Sequence, residues 1–390
     1  MTSAIKRCDI FCSVIDNFGD IGICWRLSRQ LVAEHQLDIR LWVDDLVSFA
    51  RICPQVQPDK TTQRIEGVQV CLWSSPLAEL EAAEYPDLVI EALACTIPTS
   101  YLQALSEHQP QALWLNLEYL SAEDWVHGCH GLASPQPGLA LHKYFFFPGF
   151  TAQTGALLRE RNLVATLDAF AADTKAQQQF WQQLGLSHVT EFDSKVSLFT
   201  YDQPAIGSWL EQLSQSADST VLLVPEGVLA NRLKTLWPEL GSQSFAQRGK
   251  LRIDILPFMP QQQYDYLLAA CDINFVRGED SVIRAHWAGK TFIWQIYRQQ
   301  EQAHQVKLDA FLTKYLQQAA SPLQQLLLEV HRRWDLELPL AELWPLLLEN
   351  KEEIALYNKA WRAFLMTHED LASNLVRFAE NKCKMPRNFS

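Results

Sequence analysis

Two strand-end loops concentrate the residues able to do chemistry in this 390-residue chain. The first lies in VIDNFGDIGICWRL (14–27), where Asp16, Asn17, Phe18, Gly19 and Asp20 follow a buried-looking strand and precede a helix. Gly19 and Gly22 permit a tight turn or a close backbone approach. Their spacing is not G-x-G-x-x-G, so no dinucleotide fingerprint is present, and two acids would repel phosphates. Asp20 can cap the helix while Asp16 closes an Asx-turn. Alternatively, the pair can orient and deprotonate an acceptor, or hold a cation. The second loop is Arg277-Gly278-Glu279-Asp280-Ser281, after the strand INFV and before VIRAHWAG. Gly278 lets the backbone turn, and Asp280 or Ser281 can cap the new helix. Amides at that N-terminus suit a phosphate, with Arg277 adding a charge-assisted contact. Glu279 would be costly beside phosphates unless it serves sugar hydroxyls or a cation. The bland alternative is a capped helix with a surface Arg–Glu pair.

Weaker signals surround these loops. Phe258 and Gln261, after the strand LRIDIL, are an aromatic and an amide fit to stack on a nucleobase and bond its edge. Phe199 and Tyr201, ending VSLFTY, have the same capacity, although for all three aromatics packing of a loop is the commoner reason for such a residue. AGKT (288–291) resembles a phosphate loop, but Arg284 stands where its upstream glycine belongs. His127-Gly128-Cys129-His130 has no further ligands at zinc-site spacing, so no metal is expected.

The elements that must position these residues alternate in two series. Strands are expected at 9–15, 39–45, 68–73, 87–93 and 112–118, with a helix at 21–35. Loops and a polar, Gln-rich helix near 165–184 fill 120–195, including the aromatic run KYFFFPGF (143–150). A second series places strands at 196–202, 219–225, 251–258, 272–278 and 291–297, and helices at 204–215, 226–237, 260–270 and 281–288. From about 300 the pattern is helical. Buried strands separated by helices indicate parallel sheets covered on both faces. Open α/β sheets bind ligands at the carboxyl ends of their strands, where both loops fall. The expected fold class is α/β: two successive doubly wound units with a helical C-terminal tail fit the GT-B arrangement of two facing Rossmann-like domains, and equally fit other two-domain α/β proteins. The expected divisions are 1–165, a connector at 166–195, 196–350, and a tail at 351–390 that can cross back to the first domain.

Composition sets outer limits. A net charge of −12 disfavours a surface that wraps nucleic acid. Nine scattered cysteines without a C-x-x-C pair, no long apolar segment in MTSAIKRCDIFCSVID, and no run long enough to span a membrane suggest a cytoplasmic protein with core thiols.

VIDNFGDIGICWRL, LWVDDL, EALAC, NLEYLSAEDW, KYFFFPGF, RERNL, LPFMPQQQYDYLL and NFVRGEDSVIRAHWAGK, in this order, resemble the protein-arginine rhamnosyltransferases that act on bacterial elongation factor P (the EarP family). The resemblance covers about residues 8–310. It implies a GT-B enzyme that transfers L-rhamnose from dTDP-L-rhamnose to an arginine of elongation factor P with inversion. No cofactor or metal is implied. It assigns the general base to Asp20, an earlier loop acid to Asp16, and a glutamate needed for activity to Glu279. Arg277, Asp280, Ser281, Phe258, Gln261, Phe199 and Tyr201 match donor-binding positions; Asn17, Phe18 and Gly19 complete the acceptor loop. The family pattern leads one to expect WHIYPQ after the GK turn, and this chain has WQIYRQ at 294–299. A GT-B enzyme with a small-molecule acceptor, and a non-catalytic sugar-nucleotide sensor, are the competing readings.

Overall fold

The computed structural model describes residues 5–15, 18–74, 77, 80–298 and 303–384. The chain divides into two compact units, Met1–Arg161 with Leu365–Ser390, and Asn162–Phe364.

The first unit is built on β1 (Arg7–Cys12), β2 (Asp38–Val43), β3 (Thr62–Ile65), β4 (Val68–Leu72), β5 (Leu88–Ala92), β6 (Leu113–Leu117), β7 (Ala133–Ser134) and β8 (His142–Phe146). Among the described residues these form one sheet of order β3-β4-β2-β1-β5-β6-β8-β7. The interior strands are parallel, and the short edge strands β3 and β7 are antiparallel. Runs such as DIFC and LVIEA are buried on both faces, as parallel strands under helices must be. Asp9 is the acid within β1. It is fully buried and accepts bonds from Arg40, Trp42 Nε1 (3.0 Å) and Tyr101 Oη (2.6 Å). That network locks β1 to β2, and so fixes the start of the loop at β1's end. After β1 the chain builds outward through β2, then returns to β5 on the other side. The chain leaving β1 at residues 13–15 therefore does so at a topological switch point.

The second unit contains β9 (Ser194–Leu198), β10 (Thr220–Pro225), β11 (Phe245–Arg248), β12 (Leu251–Leu256), β13 (Ile273–Arg277) and β14 (Thr291–Gln295). Their order is β11-β12-β10-β9-β13-β14, parallel apart from β11. The switch point here lies between β9 and β13. Phe199 and Tyr201 leave one strand, and Arg277 ends the other.

Three expectations are corrected. KYFFFPGF is not all loop: Lys143–Phe146 belong to β8, pairing with β6 from Leu113↔His142 to Leu117↔Phe146. The segment 166–195 is not a connector. Helices Leu163–Ala172 and Thr174–Gln183 belong to the second unit, because Phe180, Trp181, Leu186 and Val189 join Val221, Leu223 and Leu267 in its core. The boundary falls at Arg161/Asn162 rather than 165. The tail does not start as a separate piece at 351 either. Helix Lys351–Met366 is held in the second unit by Arg362, whose two terminal nitrogens grip Asp168 at 2.9 and 3.0 Å. Only from Leu365 does the chain rejoin the first unit, where helix Leu371–Lys384 buries Leu371, Ala372, Leu375 and Ala379 and packs on helix Gly19–His35 and β6.

Candidate functional site

In the first unit, Asp20 lies in the opening turn of helix Gly19–His35 and is 3% exposed. Phe18, not Asp20, occupies the N-cap position, and its side chain makes no capping bond. Asp20 instead reaches back: its Oδ2 accepts the Ile15 backbone N–H at 3.0 Å, closing the loop on itself. An acid in a first turn is also favoured by the helix dipole. The loop has a second tether from LWVDD. Asp44 accepts Val14 N–H at 2.8 Å and the Ser13 hydroxyl at 2.5 Å. Its neighbour Asp45 caps helix Leu46–Ile52 through the Val47 and Ser48 amides, and the Ser48 hydroxyl bond, with the Ser48 and Val47 amides, holds its carboxyl below the ordinary range. Phe18 and Gly19 are half-buried. Asp16 and Asn17 lie outside the described residues.

The same part of the helix carries Cys24, whose thiol bonds Cys12 at the end of β1. That bond, burial and the Asp20 charge together push the Cys12 thiol well above its ordinary range. A thiol so disfavoured as thiolate is a core residue and no nucleophile. All nine cysteines are free. The His127–His130 fragment is spent on loop structure: His127 Nε2 pairs with the Thr151 hydroxyl at 3.0 Å, and His130 Nδ1 accepts Phe147 N–H at 3.1 Å. Among the described residues no group of His, Cys, Asp and Glu is arranged to hold a metal.

In the second unit, the helix after β13 begins three residues earlier than its sequence pattern indicates. It runs Gly278–Ala288, with Arg277 as N-cap and Glu279 and Asp280 in its first turn. Gly278 has φ +57°, a conformation that favours glycine. Ser281 knots the junction: its hydroxyl accepts Arg277 N–H at 3.0 Å and donates to the Arg277 carbonyl. The Arg277 guanidinium lies over the rings of Phe199, 4.5 Å from the centroid, and Tyr201, at 4.8 Å. The two aromatics and the arginine thus form one cluster across the switch point. Gln261 opens helix Gln261–Ala270 and donates from Nε2 to Asp280 Oδ2 at 3.2 Å. Glu279 and Phe258 are half-buried beside this cluster's elements. Gly289, φ +63°, ends the Gly278 helix, so AGKT is a helix C-terminus and no phosphate loop.

Three residues escaped the sequence reading. Tyr264, one turn after Gln261, meets Phe199 edge-on at 5.6 Å, and burial, then the Asp280 charge, push its phenol far above the ordinary range. Its i+3 spacing from Gln261 was the available signal. Arg284 grips Asp265 through Nε–Oδ1 (2.9 Å) and Nη2–Oδ2 (2.7 Å), both buried, and so fixes helix Gln261–Ala270 against helix Gly278–Ala288. Gln295 accepts Tyr201 N–H at 2.9 Å. Neither contact has a local sequence signature.

A solved structure from work on the structural basis for EarP-mediated arginine glycosylation of translation elongation factor EF-P superposes with a TM-score of 0.68 at 31% identity, over 96% of this chain and 99% of that one. Two Rossmann-like units with switch-point loops and a helical C-terminal region are the GT-B class of glycosyltransferase fold. The family model described as Elongation-Factor P (EF-P) rhamnosyltransferase EarP matches residues 8–380. The protein-arginine rhamnosyltransferase of Pseudomonas putida is 45% identical over 375 residues, 96% of this chain and 98% of its own. That of Neisseria meningitidis serogroup B is 39% identical over 312 residues, covering 79% of this chain and 78% of its own. The chain belongs to the EF-P rhamnosyltransferase EarP family.

Proposed function

We propose that this protein transfers L-rhamnose from dTDP-L-rhamnose to an arginine side chain of elongation factor P, with inversion and without a metal. The observation that carries the donor side is the Phe199–Tyr201–Arg277 cluster at the switch point, with Ser281 turning the chain into a helix N-terminus. Aromatic faces suit a thymine, and a guanidinium and helix amides suit a diphosphate leaving group. Family membership supports the choice of sugar and acceptor.

In the proposed reaction one guanidinium nitrogen attacks the anomeric carbon opposite the diphosphate. The N–C bond forms, the C–O bond to phosphate breaks, and the nitrogen's proton passes to a carboxylate. A guanidinium with pKa above ~12 is a poor nucleophile, so the acceptor needs a carboxylate that grips, orients and deprotonates it. Asp20 is the proposed base, with Asp16 four residues earlier in the same segment, and Glu279 is the proposed further carboxylate of the reaction. Phe258, Gln261, Asp280 and Ser281 complete the proposed donor site. Charge on the departing dTDP is met by Arg277 and the amides of the Gly278 helix.

Incubation with dTDP-L-rhamnose and elongation factor P, followed by intact mass measurement, tests the reading. The expected result is a gain of one deoxyhexose on elongation factor P, unaffected by a chelator. Donor hydrolysis with no change in protein mass indicates another acceptor. Donor binding without turnover indicates a sensor. Magnesium-reversible inhibition by a chelator contradicts metal independence.

A further inference from the structure

We propose that Gln295 is a positioning residue for the nucleotide-sugar site, holding the aromatic loop over Arg277. The proposal rests on the donor-binding reading of the second unit. Gln295 ends β14 and is 2% exposed. In the β13–β14 pairing its register partner is Arg277 itself. Its amide spans two successive backbone groups of the loop after β9. Oε1 accepts Tyr201 N–H at 2.9 Å, and Nε2 donates toward the Asp202 carbonyl at 3.5 Å. Tyr201, so anchored, lies on Arg277 and meets Tyr297 edge-on at 5.7 Å. The Asp202 carboxylate is gripped by both Arg232 Nε and Nη2. One side chain thereby ties the loop that carries the aromatics to the strand neighbouring the arginine they cover.

A neutral imidazole has one donor and one acceptor, as the glutamine amide does along this loop. The requirement is thus for a buried side chain with both functions, which an apolar isostere lacks. Without it the Tyr201 N–H loses its acceptor, the loop relaxes, and the rings leave Arg277.

The test compares the full-length wild type with Gln295→Met and Gln295→His. Calorimetric titration with dTDP gives affinity, and steady-state kinetics with dTDP-L-rhamnose and elongation factor P give the KM–kcat split. Gln295→Met is expected to weaken dTDP binding roughly tenfold and raise donor KM alike, with kcat at saturating donor within about twofold. Gln295→His is expected to stay within about threefold of wild type in both. Gln295→Met affinity within about twofold of wild type, with or without a lowered Tm, overturns the proposal, as does equal weakening by both variants. A wild type that binds no dTDP overturns the donor reading, and the proposal with it.

Discussion

At the scale of single residues, the two loops spend their charges differently. Asp20 is buried and bonded to the Ile15 backbone, so it shapes its own loop as well as being available as the proposed base. Asn at this position keeps an oxygen to accept that bond, which makes Asp20→Asn a test of proton transfer more than of folding. Arg277 is stacked on two rings and carries the proposed diphosphate contact. Losing both the stack and a charge-assisted contact in Arg277→Ala should weaken dTDP binding roughly 10- to 100-fold, read by calorimetry. An unchanged affinity would remove Arg277 from the donor site.

At the scale of elements, the alternation of strands and helices was legible because buried parallel strands are near-continuous apolar runs. VLLVP and INFV read as strands and are strands. The polar edges β3 (TQRI) and β11 (FAQR) did not read so, since only one residue of each is buried. Helix Thr174–Gln183 was mistaken for linker because a single Phe180-Trp181 step is all that anchors its glutamine-rich sequence. The site loops were legible by residue type. Their supports were not, because Asp265 with Arg284 and Gln295 with Tyr201 meet only through tertiary packing. Arg284→Leu strips the guanidinium from the buried Asp265 carboxylate. It should cost about 3–5 kcal/mol in urea unfolding, whereas a loss below about 1 kcal/mol would mean the pair is not what joins these helices.

At the scale of the whole molecule, the C-terminal helices serve both units in turn, and the part on the second unit encloses two histidines. His331 donates from Nδ1 to the Leu327 carbonyl at 2.8 Å, and its ring packs edge-on to Phe292 at 5.9 Å, as does that of His286 at 4.8 Å. Burial pushes His286 down to about 3, with the His331 charge adding to it, and pushes His331 down to about 4, partly offset by the Leu327 bond. Both are neutral in the fold, whereas the unfolded chain takes up their protons below about 6.5. Their contribution is therefore neutral above that pH and turns destabilising as pH falls, by about 1.4 kcal/mol per pH unit for each, until the folded values are reached. By pH 5 each costs about 2 kcal/mol. His331→Phe should flatten the decline of unfolding free energy between pH 6.5 and 5, and an unchanged slope would contradict it. Catalysis, too, belongs to the whole chain, and the decisive comparison is of turnover on elongation factor P and donor affinity, both for Asp20→Asn against wild type. The predicted result is turnover lower by roughly 100-fold or more with dTDP-L-rhamnose affinity within a few-fold. Turnover that survives the substitution at unchanged affinity would contradict Asp20 as the base.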